Sequence, residues 1–399
     1  MVNASDALER GRLLLQLGRP ADAERELRGL LTEQPQHVGG HALLGLALVQ
    51  QGRTEEALEE SREAVRLAPD HWMPHYMSGQ VHHRAGRIDE AARATVACLA
   101  LSPEHAPAWD LLARVHMKRR DWVQTAEAAS RGLALDPQDS DLASLLAIAQ
   151  VLLGRGDQAR ATAAQAVRNN PESALAHWAQ GNAALAKGDP RSAADSFREV
   201  LRLDPGFDAA RDSLVDALKQ RNPLHRTLSR LRERFVGGWW LVFLLPAMPP
   251  LIAVFVIIAL LHWAAWIAES WTTLRLARGK ATRLLFEGPA ARVSLLCCGL
   301  VAAGAALLGL GIGLGLAGLG SAGAATMALV TPVQEAAHTG SPAGRRILYG
   351  WAVLLAAAAL AAVVTAAFPP ALLATYAALA TIWIAAGVRK IFRPREAAV

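Results

Sequence analysis

Six prolines, Pro35, Pro69, Pro103, Pro137, Pro171 and Pro205, stand 34 residues apart without exception. A fixed period of this length means that one small unit is repeated, and that each copy buries its apolar face on the next. Three more columns keep the same register. Gly18, Gly52, Gly86, Gly154 and Gly188 form one, with Arg120 in the remaining place. A second is always small: Gly11, Gly45, Gly79, Ala113, Ala147 and Gly181. The third is Ala23, Ala57, Ala91, Ala159 and Ala193, with Thr125 as its exception.

The spacing predicts the unit. Leu- and Ala-rich stretches on either side of the glycine each suit a helix of about three to four turns. The glycine supplies the left-handed backbone that ends the first helix, and the proline ends the second. In "GDP" at 188–190, Asp189 reads as a helix cap and Pro190 as the first helical residue. The small and Ala columns are expected to face each other, so that paired helices approach closely.

Residues 4–207 therefore resemble the tetratricopeptide repeat, a helix–turn–helix unit stacked into a right-handed superhelix. The fold expected is all-α: a six-repeat helical solenoid followed by a helical transmembrane domain. Arg120 and Thr125 make the fourth repeat irregular, with a distorted turn expected there. The aromatic common near the start of the family's first helix appears only as Trp109, with Trp178 displaced by one place. Residues 208–220 read as the solvating helix that closes such arrays.

The resemblance implies a concave inner surface built from the first helix of each repeat. Carried onto this chain, it gives the columns Leu8, Ala42, Tyr76, Asp110, Ser144, Trp178; Arg12, Leu46, Gln80, Arg114, Ile148, Asn182; and Leu15, Val49, His83, Met117, Val151, Leu185. Tyr76, Gln80, His83, Asp110, Arg114 and Met117 would share one neighbourhood suited to an extended protein or peptide partner. Trp178 and Asn182 complete the candidate protein-binding set. The Lys/Asn pattern with which some members hold a C-terminal carboxylate is missing, since Asn182 stands alone.

Candidates for chemistry dissolve in the same register. His37, His71 and His105 share a column with Asp139, Ser173 and Phe207, and a position copied along a solenoid is punctuation rather than a catalytic or metal site. His71 and His75 have i, i+4 spacing, but Pro74 lies between them and no Cys or acid stands at ligand spacing. "GLGLAG" at 313–318 has the letters of a dinucleotide fingerprint without its preceding strand. Gly309/Gly313 and Gly311/Gly315 read instead as pairs that let membrane helices touch. "EAAH" at 335–338 reads as a loop, and "GSAG" at 320–323 misses the nucleophile elbow. No catalytic set, metal site or cofactor is expected, and the chain is not read as an enzyme.

Charge divides the chain. Residues 1–217 carry a balance of −6, residues 218–234 +5, and residues 235–399 +7, within the total of +6. The basic groups flank apolar segments, which points to anionic lipid and not to nucleic acid. Three cysteines give no disulfide framework and suggest a reducing compartment. Acids and arginines in the first twenty residues do not suit an export signal. Four spans are expected: 239–261, one within 293–319, 348–367 and 371–388, the last two divided by Phe368-Pro369-Pro370. His262 and Glu269 are placed at an interface beside Trp263 and Trp266.

The domains expected are 1–220 (solenoid with closing helix), 221–236 (basic juxtamembrane linker) and 237–399 (membrane domain). The positive-inside rule puts the solenoid in the cytoplasm, on a multi-pass protein of the inner membrane. The reading is a membrane-anchored adaptor that recruits or assembles partner proteins; the alternative is a transporter or other membrane activity regulated by the repeats.

Overall fold

The computed structural model describes residues 4–223, 227–228, 251–278, 289–339, 341–365 and scattered residues between 377 and 391. Among these, every regular element is a helix. The chain divides into two compact units, Met1–Leu214 and Val215–Val399.

The first unit is a series of helix pairs: α1 (Ala4–Gln16) and α2 (Pro20–Glu33), α3 (Val38–Gln50) and α4 (Thr54–Leu67), α5 (Trp72–Arg84) and α6 (Ile88–Leu101), α7 (Ala106–Lys118) and α8 (Trp122–Leu135), α9 (Ser140–Leu152) and α10 (Gly156–Asn169), α11 (Ala174–Ala186) and α12 (Pro190–Leu203). Helix α13 (Asp208–Gln220) follows and contains the boundary between the units.

The columns explain the geometry. The small column makes room for the second helix: a Cβ at Gly11 would lie 2.9 Å from Leu27, and one at Gly45 3.1 Å from the Ala57 carbonyl. At Gly181 it would overlap the ring of Phe197, which is fully buried. Every member of the Ala column is fully buried, and so is Thr125, whose hydroxyl donates to the Asp121 carbonyl at 2.7 Å. Asp189 accepts from the N–H groups of Arg191 and Ser192, each at 3.2 Å, and Pro190 opens α12.

The expected distortion of the fourth repeat is absent. Arg120 takes φ 59°, against 68° to 78° for the glycines of its column. Its N–H bonds Met117 at 3.1 Å and that of Asp121 bonds His116 at 3.0 Å, as Gly18 and Arg19 do with Leu15 and Leu14. The turn is preserved, and a side chain bears the strain that glycine avoids.

The second unit contains α14 (Leu251–Arg278), α15 (Pro289–Leu314), α16 (Ala317–Ala328), α17 (Val330–His338) and α18 (Pro342–Thr365). Two corrections arise here. "EAAH" lies on α17, not in a loop: a helix satisfies the backbone of a segment whose Glu335 is 4% exposed. The glycine pairs also sort differently. Gly309 and Gly313 meet nothing within 4 Å, Gly315 is the left-handed break between α15 and α16, and the close approach uses Gly304 and Gly311 against Gly323 and Gly320. An added Cβ at Gly304, Gly311 or Gly323 would strike backbone of the facing helix, and Gly320 presents its own backbone to Gly311.

Among the described residues, two stretches, Arg292–Leu314 and Pro342–Val364, are long and apolar enough to cross a membrane. Much of the first expected span (239–250), the Phe368-Pro369-Pro370 divider and most of the last span lie outside the described residues, as does most of the 221–236 linker. A polar seam runs inside the unit. Gln334 Nε2 donates to Ser270 Oγ at 2.7 Å, and Lys219 pairs with the 9%-exposed Glu269 at 3.3 Å.

Replacing Gly181 by Ala should destabilise the first unit by about 1–3 kcal/mol through overpacking against Phe197. Arg120→Gly should raise stability by up to about 1 kcal/mol by relieving left-handed strain. Urea unfolding of both variants checks the pair, and reversed signs would contradict this packing.

Candidate protein-binding groove

Not all of the inward columns remain accessible. In repeats 2 and 5, Ala42, Leu46, Val49, Ser144 and Ile148 are buried. Leu8, Arg12 and Leu15 on α1 and Val151 on α9 stay partly accessible or exposed, and the candidate binding residues fall in two places. Tyr76, Gln80, His83, Asp110, Arg114 and Met117 lie on α5 and α7, while Trp178 and Asn182 lie on α11.

Tyr76 is half-buried and packs against both the Leu99–Leu112 cluster and the Ala91–Val115 cluster. Burial raises its phenol pKa, and a hydrogen bond with Gln80 partly offsets that. Arg114 is enclosed by its own chain: Nε bonds Asp110 Oδ2 at 2.8 Å, and Nη2 bonds Asp141 Oδ2 at 2.7 Å. Burial pushes the Asp110 carboxyl above the usual range despite that bond, and Oδ1 is buried without a partner among the described residues. Burial also works against the Arg114 charge, but the two carboxylates outweigh it.

His83 is held below the ordinary histidine range by burial, then by Lys118, Arg114 and Arg84. Met117 packs on clusters of both the fourth and fifth repeats. Trp178 rests with its ring 5.6 Å from Phe207, and its carbonyl accepts from Asn182 Nδ2 at 2.8 Å. The groove candidate is therefore a mixed patch on repeats 3 and 4, plus an aromatic ledge on repeat 6.

The punctuation column has a precise job in the structure: it caps first helices. His37 Nδ1 accepts from Gly40 N at 3.0 Å, His71 Nδ1 from Met73 N at 3.2 Å, Asp139 from Asp141 and Leu142, and Ser173 from Ala176. His105 occupies the cap position without making the bond, its ring packed on Trp72 and Tyr76 instead.

A further column escaped the sequence reading. Six residues after each proline stand His41, His75, Trp109, Ala143, His177 and Arg211. Ring N–H groups of His41, His75, Trp109 and His177 donate to the proline carbonyls at 2.7–2.8 Å, and Arg211 reaches the last at 3.3 Å. Where Ala143 has no donor, Asn169 bonds the Pro137 carbonyl at 3.3 Å. The signal was present as a spacing of six after proline. Three different donor side chains concealed it. Among the described residues, no group of three His, Cys, Asp or Glu is placed to hold a metal ion.

The Tetratricopeptide repeat family model matches residues 8–72, 75–140 and 144–206. The N-terminal half of this chain belongs to the tetratricopeptide-repeat family. No curated protein matches the chain. Similar solved structures include that of Pseudomonas aeruginosa PilF, 20% identical with a TM-score of 0.46, covering 53% of this chain and 97% of PilF. PilW, described as a type IV pilus biogenesis factor, is 16% identical with a TM-score of 0.47, covering 54% of this chain and 98% of its own. YrrB, described as having an unusual peptide-binding site, is 17% identical with a TM-score of 0.38, covering 46% and 95%. At these identities the likeness concerns the fold alone.

Arg114 is thus first a structural cation. Arg114→Ala should cost about 1–3 kcal/mol, because it leaves Asp110 partly buried beside Asp141 without its partner. The double variant D110L/R114M should recover most of that loss. Thermal or urea unfolding measures both; a double variant no more stable than R114A would contradict the assignment.

Proposed function

We propose that the chain is a protein-binding scaffold held at a membrane, with the inner face of repeats 3, 4 and 6 receiving a protein or peptide partner. Tetratricopeptide-repeat domains bind peptide or protein partners, and in this chain the accessible inward residues supply recognition chemistry. Tyr76 and Trp178 offer aromatic surface, Gln80 an amide, and Met117 an adaptable apolar contact. The observation that carries the reading is that accessible polar and aromatic groups remain on this face while the same columns are buried throughout repeat 2 and, apart from Val151, in repeat 5.

Membrane attachment rests on the outward character of the two apolar helices. Only 17% of the Arg292–Leu314 window and 28% of the Pro342–Val364 window are buried inside the unit. Leu295, Leu296, Leu310 and Ile312 on α15, and Val353, Leu354, Leu360 and Val364 on α18, are exposed. A water-soluble surface rarely carries so much contiguous apolar area, whereas lipid accommodates it. The basic clusters favour a cytoplasmic solenoid on a multi-pass inner-membrane protein.

A second reading, a membrane activity governed by the repeats, draws on the buried polar seam of Glu269, Ser270, Gln334 and Glu335. Polar groups at such depth invite a functional role. A continuous aqueous path along that seam would be its signature, and the scaffold reading needs none.

Photo-crosslinking residues placed at Gln80 and Asn182 should capture a partner in cells, and ones placed at the exposed Arg62 on α4 and Arg93 on α6 should not. Reporter fusions after residues 220 and 399 should both signal cytoplasm. Capture confined to the α4 and α6 positions would move the binding surface elsewhere; an external signal from the second fusion would reject four crossings.

A further inference from the structure

The histidines of the solenoid are not equivalent. His41, His75 and His177 give a ring N–H to a proline carbonyl, and His37 and His71 accept a backbone N–H at a helix start. Four others, all in repeats 3 and 4, have a buried ring nitrogen with no hydrogen-bond partner among the described residues: His82 Nδ1, His83 Nε2, His105 Nε2 and His116 Nδ1. Protonating such a ring places a charge where water is scarce, and any added N–H meets no acceptor.

Their neighbours separate them into two pairs. His82 faces Glu90 and Arg93 on α6, Arg87 in the turn and Arg62 on α4. His116 faces Asp121 and Arg119 beside it and Glu127 on α8. Burial lowers both pKa values, but in each case a carboxylate opposes that shift, and the last turn of a helix favours a cation as well. His83 shares the helix-end position but faces cations alone: Lys118 and Arg114 on α7, and Arg84 next to it on α5.

His105 has a different obstacle. Its ring lies 4.3 Å from Trp72 and 4.8 Å from Tyr76, edge-on to the latter. It stands immediately before α7, where the helix dipole opposes positive charge. Burial lowers its pKa. Both groups belong to the joint between α5 and α7: His105 fastens the start of α7 onto α5, and His83 looks from α5 towards the cations of α7.

We propose that His83 and His105 make the joint between repeats 3 and 4 acid-labile, holding it closed while neutral and opening it when protonated. Repeats 5 and 6 lack this device, since Asp139 and Ser173 cap their first helices. The sign follows from linkage. Each imidazole binds a proton less readily in the fold than in the unfolded chain. Its stabilisation is therefore complete above the ordinary histidine pKa of about 6.5 and is lost as pH falls through that value towards the folded one. The inference does not depend on what the groove binds.

Hydrogen exchange of the full chain in detergent micelles, corrected for intrinsic rates, tests it at pH 7.5 and 5.5. Acid should raise exchange over residues 72–118 and leave residues 140–186 little changed. The variant H83Q/H105F should lose that selective rise, and H82Q/H116Q should keep it. Carbon-labelled histidine resonances of the unaltered protein give a second measure, independent of whether the variants fold. Resonances of His83 and His105 should titrate below the ordinary range. Uniform acid loosening of all repeats, a selective rise that survives in H83Q/H105F, or ordinary midpoints for both histidines would each overturn the proposal.

Discussion

The contact on which the solenoid depends is the one between the small column of each first helix and the second helix of the same repeat. Without a Cβ at Gly181 the Phe197 ring lies against the α11 backbone, and without one at Gly45 the α4 backbone comes close as well. Close approach fixes the angle of the pair, and the pair fixes the surface offered to the next repeat. Because the same contact recurs every 34 residues, small local geometry becomes a long array with an inner face. The donors to the proline carbonyls then secure each junction from outside the apolar contact.

Much of this was legible because it was repeated. Four columns in register mark the helices, their ends and the buried Ala face in the amino-acid sequence alone. Features that vary in residue type while keeping one physical task were harder to see. Histidine, tryptophan and arginine all serve the proline carbonyl, and histidine, aspartate and serine all serve as first-helix caps. Arg120 misled in the other direction: a changed residue suggested a changed turn, but the surrounding hydrogen bonds impose the left-handed geometry on it. In the second unit there is no repeat to average over, so the reading rested on composition. Composition recognised apolar helices but could not choose which glycines touch, and it did not anticipate that Glu335 lies buried on a helix.

The groove candidate shows the limits of a column-based argument about sites. A register states which residues share a position, not which of them have already spent their bonding capacity. Arg114 looked like an anchor for a partner, yet both of its hydrogen bonds close within the chain, to Asp110 and Asp141. Buried charge of this kind favours a defined arrangement of α7 and α9 more than it favours affinity. Recognition is left to neighbours with fewer internal commitments, Gln80 and Met117 on the central repeats and the Trp178 ring on the sixth.

The central claim is that residues 1–220 form a self-sufficient stack whose core is made within and between repeats. Circular dichroism and sedimentation of that fragment alone test this most directly. The account predicts a soluble, monomeric, strongly helical fragment with one cooperative thermal transition. A fragment that shows little helix, or that gains helix only when residues 221–399 are restored, would contradict it.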